Sequence, residues 1–520
     1  MTENTTVMPE QPQPAKRRPW GLIAVIASVL VVVLVAAGGF AAWRFLSGGG
    51  PRPAEVLPAS TFGLVTLDLD PSGGQKVEAI KTLRKFPTFR DESGLKPDSD
   101  PLKRLFDEVQ KDGSCTDLDY ERDIKSWVGQ RFGLGGVMLD DKPTPVATVQ
   151  VSDAGNAKAG FGRLATCAEL DEGGDFGWTI ADDYIVISDS TAHAETIVAE
   201  GKKSPLSEDE DYQQWTDEAG GAGIVNAYVG PKVVDIASEE LGSGGAGNEL
   251  FGSSSDEDEL ADALAAYKDF KGAAAVLRFA DGGIELSFAG SGGRSTKGTE
   301  TVGDHVAAMP ADTALLLAVA VPPGAFDAVA KADKDGATSE FLGGMLGIDF
   351  PDDLKTLLGK SFSFSLGGDA PDDLDSIQGP GDIDVGALIR GDADAIDGVI
   401  GKLEQSSGST LADLEITKAS KDGKVAIASN EAYADQLLGD GALSDEDSFK
   451  DTVPNADDAQ AVLYADFDGD WGKAVIDEIR KGDSEDSTEV ARNLDALRAF
   501  GASAWTEDDV THGLVRLSLK

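Results

Sequence analysis

Hydrophobic and polar positions change period along this chain, and each change marks an element. Gly21–Trp43 (GLIAVIASVLVVVLVAAGGFAAW) runs for about 23 residues without a charge, ~34 Å as a helix against a bilayer core of ~30 Å. Trp20 and Trp43 stand at its ends, where indole rings favour the headgroup level. Lys16, Arg17 and Arg18 precede it and only Arg44 follows closely, so the charge bias predicts one membrane-spanning helix with a cytosolic N-terminus. The rival is a cleaved signal peptide, for which Val35-Ala36-Ala37 would serve as the cleavage site. The length of the apolar run and the polar tail before it favour the anchor.

Beyond a Gly/Pro linker (Ser47–Pro53) the period drops to two. Phe62–Leu69 puts Val65, Leu67 and Leu69 on one strand face and Thr66 and Asp68 on the other. Val77, Ile80 and Leu83 then repeat at helical spacing. Asp100 and Pro101 open a further helix with the stripe Leu102, Leu105, Phe106, Val109, which Gly113 stops. Paired strands are expected at Arg131–Leu139 and Val146–Ser152, a helix at Asn156–Ala165, and a hairpin at Phe176–Ala181 with Tyr184–Ser188. A helix (Ala192–Glu200), a strand (Gly223–Val229) and a helix (Val233–Leu241) follow. An acidic loop (242–258), a helix (259–270) and a hairpin (273–289) close the series, ahead of a linker running to Asp304.

The pattern then repeats. Leu57-Pro58-Ala59-Ser60-Thr61 returns as Met309-Pro310-Ala311-Asp312-Thr313, and Asp123–Phe132 (DIKSWVGQRF) returns as Asp353–Phe362 (DLKTLLGKSF). Ala192-His193-Ala194-Glu195 is echoed by Ala432-Tyr433-Ala434-Asp435, Tyr212 by Phe449, and the segment 259–289 by 489–519. The organisation expected is a disordered cytosolic tail (1–19), an anchor (20–44), a linker (45–53), a first copy (54–290), a linker (291–304) and a second copy (305–520). Each copy reads as a two-layer α+β unit, an antiparallel or mixed sheet covered by helices. Outside that scaffold signature the copies show no shared polar or titratable residues beyond surface types.

Charge and cysteines narrow the setting. With 92 acidic and 45 basic residues the formal charge is −47, nearly all of it after the anchor. Such a surface repels nucleic acid. Cys115 and Cys167, the two cysteines, lie after the anchor, where an oxidising compartment makes a disulfide the first expectation. It would close a loop of about 50 residues, for which chain-entropy arithmetic gives ~4 kcal/mol.

Catalytic signatures are not prominent. The chain has no GxxxxGK[ST], GxSxG, HExxH or strand-borne GxGxxG, and its three histidines, His193, His305 and His512, are scattered. Asp466-Phe467-Asp468-Gly469-Asp470 is the best cation candidate. It departs from a calcium loop, because Trp471 holds the position that needs glycine and Asp477 the position of the bidentate Glu.

The residues LPASTFGLVTLDLDPSGGQKVEAIKTLRKFP, KDGSC, DIKSWVGQRFGL and YIVISDSTAHAE together resemble the bacterial envelope proteins grouped as domain of unknown function 3352. The resemblance covers most of the chain after the anchor and is strongest in the first copy. It implies a single-pass anchor with an extracytoplasmic domain, and no activity or cofactor. The expected function is a membrane-anchored extracytoplasmic binding or scaffolding protein of the cell envelope. Its partners would be the bilayer, through the N-terminal helix, and an envelope protein or glycan, but no nucleic acid. No enzyme activity, cofactor, metal site or catalytic residue is expected. Two alternatives stay open: a carrier of an apolar envelope molecule, and a carboxylate-dependent hydrolase.

Overall fold

The computed structural model describes residues 52–71, 73–87, 102–103, 106–107, 110, 115–167, 176–242, 267–292, 298–326, 336–371, 374–482 and 485–520. The expected tail, the apolar span, nearly all of the first linker, Asp100 and Pro101, and most of the helix expected at 259–270 lie outside them. No helix among the described residues is long and apolar enough to cross a membrane.

Among the described residues sixteen strands form one antiparallel sheet. Eight come before the second linker: β1 (Thr61–Asp68), β2 (Val128–Leu139), β3 (Lys142–Val151), β4 (Gly177–Ala181), β5 (Tyr184–Ser188), β6 (Val225–Val229), β7 (Gly272–Ala280) and β8 (Gly283–Ser291). Eight follow it: β9 (Leu315–Ala320), β10 (Ser361–Leu366), β11 (Val385–Arg390), β12 (Thr417–Lys421), β13 (Lys424–Ala428), β14 (Ala461–Asp466), β15 (Leu497–Glu507) and β16 (Val510–Leu519). Read inward from one edge the order is β4-β5-β3-β2-β1-β6-β7-β8. From the other it is β12-β13-β11-β10-β9-β14-β15-β16, so both halves follow one path.

Register repeats along with order. Leu64 faces Gly135 and Leu316 faces Ser365; Tyr228 faces Ala274 and Tyr464 faces Gly501; Ala147 faces Ile187 and Ala387 faces Ile427. The halves meet where β8 pairs with β16, Ser287 opposite Leu514. Each of these is the fifth residue of its strand, so an approximate two-fold axis passes between them. The sequence suggested a separate sheet for each copy, whereas the structure joins the strands of both copies in one. Apolar alternation reports which face of a strand is buried, and is silent on whether its edge amides find a partner in another copy.

The two faces are covered unequally. On one, Leu64, Val186 and Val276 pack with Ile197, Leu206 and Trp215, and Leu316 and Ala318 pack with Val306, Leu437 and Phe449. Helices Thr191–Gly201, Glu210–Glu218, Glu431–Leu437 and Asp447–Thr452 supply most of that cover. On the opposite face, Phe161 of helix Ala154–Cys167 closes over Val151, Ile185 and Ile187, and Ile396 and Ile400 of helix Ala393–Ser407 close over Ile389 and Val425. The outer ends therefore have three layers where two were expected. Between them, on that same face, Val65, Leu286, Phe288, Leu317 and Phe364 remain 39 to 42 % exposed.

Candidate functional site on the open face of the sheet

Most buried groups with reactive chemistry are engaged in holding the fold. Asp123 is fully buried and accepts from the Asp119 amide, Arg122 and Arg163. The Arg122 hydrogen bonds hold its carboxyl well below the ordinary carboxylate range. Its counterpart Asp353 accepts from the Asp349 amide and from Lys402, on the helix that matches the one bearing Arg163. Burial pushes Asp353 upward, and the Lys402 and Asp349 hydrogen bonds outweigh it, so this carboxyl also lies low. Asp123 and Asp353 are matched in the sequence as part of the scaffold signature; the structure adds that each receives a cation from the equivalent helix. The cations come from different residue types far along the chain, which hides the match from the sequence.

His305 is fully buried, with Nδ1 3.0 Å from Ser363 Oγ and Nε2 2.9 Å from Ser361 Oγ. Burial lowers its pKa to about 4, helped by Lys424 and Arg390. Histidine beside serine suggests a nucleophile and base, but Ser361, Ser363 and His305 are all sealed beneath the helix cover. The Pro53 side chain occupies the matching place in the other half, over Gly133. That exchange fits a packing role better than a catalytic one. His193 lies half-exposed at the start of its helix, with Nδ1 2.5 Å from Asp189, and His512 stacks on Trp505.

The singled-out pairs and clusters lie as follows. Cys115 and Cys167 have Cα atoms 5.4 Å apart, within the span of a disulfide. Asp466 and Asp468 come to rest beside Asp445, Glu446 and Asp447 around a polar cavity of about 380 Å³ that Arg498 also enters. There the Asp466 carboxylate accepts the Asp468 amide and Asp468 pairs with Lys520. Among the described residues no three His, Cys, Asp or Glu side chains converge to hold a metal ion. Asp466 ends β14 and Asp470 opens the helix Asp470–Arg480.

An apolar trough lies on the open face. Across β6, β7, β8 and β16 every alternate position there is Gly, Ala, Val, Leu, Ile, Phe or Thr. A trough of about 470 Å³ runs over these strands, with Ala227, Ala273, Ala275 and Gly290 in its lining beside Phe288 and Tyr267. This volume is in the ordinary range for small-molecule sites, ~300–1,000 Å³. Sequence reading missed it, although Ala273-Ala274-Ala275 within a strand was a visible signal, since alanine is a poor strand former. Comparison of the chain with protein families, curated proteins and solved structures finds no match.

Proposed function

We propose that this chain is a membrane-anchored, extracytoplasmic binding protein of the bacterial cell envelope, and that it belongs with the domain-of-unknown-function-3352 proteins it resembles. In this reading residues 20–44 anchor it, and 54–290 and 305–520 are tandem copies of one α+β unit fused edge to edge. The repeat of strand order and register in the two halves supports the duplication. The observation that carries the binding role is the half-open apolar sheet face. In a chain with 26 % charged residues, a continuous uncharged surface of this kind is what a binding site for an apolar partner needs. A carrier or presenter of an apolar envelope molecule fits it better than a catalyst, since the buried Asp123, Asp353 and His305 are each held by groups of the fold itself.

The test is capture in living cells. A photo-crosslinking residue replaces Phe288 in the full-length chain, and the adduct is identified by mass spectrometry alongside fractionation of the envelope. A membrane-bound chain carrying a small apolar adduct supports the proposal. A soluble cytosolic chain, or hydrolysis of envelope esters, peptides or glycans that one carboxylate substitution abolishes, overturns it.

A further inference from the structure

The two halves have the same strand path, so each position of the trough has a counterpart on the other side of the two-fold axis. Ala227 faces Ala275, and Leu463 faces Ala502 in the same register. Ala273 stands between Val229 and Gly290, while Phe500 stands between Ala465 and Leu517. Three large side chains, Leu463, Phe500 and Leu517, thus match alanine, alanine and glycine. Val229 against Ala465 runs the other way, as does Phe288 against Val515. Phe288, however, lays its ring on Gly513 of β16, so its bulk stands at the side of the trough. The hollow is therefore particular to the first half, at positions where the second half is filled.

Charge restricts the occupant. None of the described residues lining the trough is ionisable except Tyr267, and the polar side-chain atoms open to it are few: the Thr511 hydroxyl and the Tyr267 phenol. An anionic headgroup would meet the field of a chain of charge −47 with no cation among the described lining residues to receive it. A cationic headgroup would find no carboxylate among the described lining residues. From this we infer that the trough binds an uncharged apolar chain, such as the alkyl chain of a neutral lipid or long-chain alcohol. The chain lies along the Ala/Gly positions, and any hydroxyl is left to Thr511. This rests on the binding function proposed above and names its ligand class and its half.

The probe is hexadecanol with a mid-chain diazirine, applied to the full-length chain in membranes and photolysed. Label is expected on peptides from β6, β7 and β8, with little on β14 and β15. Unlabelled hexadecanol should compete at least about tenfold better than palmitate or hexadecyltrimethylammonium, the scale of a ~1.4 kcal/mol preference. Ala273→Phe and Gly290→Leu, which install the residues of the other half, should each cut labelling at least about fivefold. Ala227→Leu serves as the milder variant if those fold poorly, and thermal melting reports folding for all three. Phe500→Ala should leave labelling of the first half intact. Equal labelling of both halves, insensitivity to all three filling variants, or stronger competition by palmitate overturns the inference. Any of these leaves the wider binding proposal to be judged by the Phe288 capture, which does not presuppose the ligand.

Discussion

Ser287 and Leu514 face each other where β8 meets β16, and each occupies the same place in its own half. The junction is therefore self-complementary, like the interface of a two-fold homodimer. It also carries an ion cluster: Glu285 lies 2.8 Å from Arg278 and 3.8 Å from Arg516, and Arg516 reaches Asp281 at 2.6 Å. The pairing β8–β16 is expected to persist without the peptide connection. With a protease site placed in Gly293-Arg294-Ser295-Thr296-Lys297, the cleaved halves should still co-elute at about 1 µM by size exclusion. Separation on cleavage at low salt would show that the linker holds them.

Asp123 and Asp353 should be stability determinants of their own halves. Asp123→Asn removes a carboxylate that receives Arg122 and Arg163, at a cost on the order of 2 kcal/mol, typical of hydrogen bonds to charged groups. Asp353→Asn should cost less, because Lys402 is its one cationic partner and is shared with Asp349. Urea denaturation at neutral pH gives both values. Since both carboxyls lie below their unfolded values, their contribution is present above the ordinary carboxylate range and is lost as pH falls beneath it.

His305 predicts a second pH dependence, at higher pH. Its native pKa of about 4 lies below the unfolded value near 6.5, so the unfolded chain takes up a proton first. Stability should decline as pH falls from about 6.5 to 4, by up to roughly 3 kcal/mol from this one group. His305→Gln, which keeps a donor and an acceptor near Ser361 and Ser363, should flatten that slope. An unchanged slope would place the dependence elsewhere.

The Cys115–Cys167 pair should be oxidised in protein taken from its native compartment, with no thiol titrating before reduction. Cys167→Ser should lower stability by up to ~4 kcal/mol on the chain-entropy estimate. The loss should fall on the first half, which can be followed through Trp127 and Trp178, packed against the same Phe161. Two free thiols in the oxidised preparation would overturn the pairing.

Much of the local structure was legible in the sequence because it depends on neighbours along the chain. Alternation marked β1, apolar residues bounded by turn residues marked β5, β6 and the hairpin β7–β8, and the helices Ala154–Cys167 and Thr191–Gly201 were also expected. The matching Pro-Ala-x-Thr turns recur as Thr61 Oγ1 donating to the Pro58 carbonyl and Thr313 Oγ1 to the Pro310 carbonyl. The echo of Tyr212 in Phe449 returns as two T-shaped ring pairs, with Tyr228 and Tyr464. What only the tertiary structure decided are relations between distant segments. The fusion of both halves through β8 and β16 is made by backbone groups common to every sequence. The pairing of Asp353 with Lys402 spans 49 residues, and no pattern along the chain announces it. The trough exists because Gly290 lies opposite Ala273, and Ala227 diagonal to Ala273, on three neighbouring strands. In the sequence these are three separate small residues; only the register of β6, β7 and β8 places them together in one hollow.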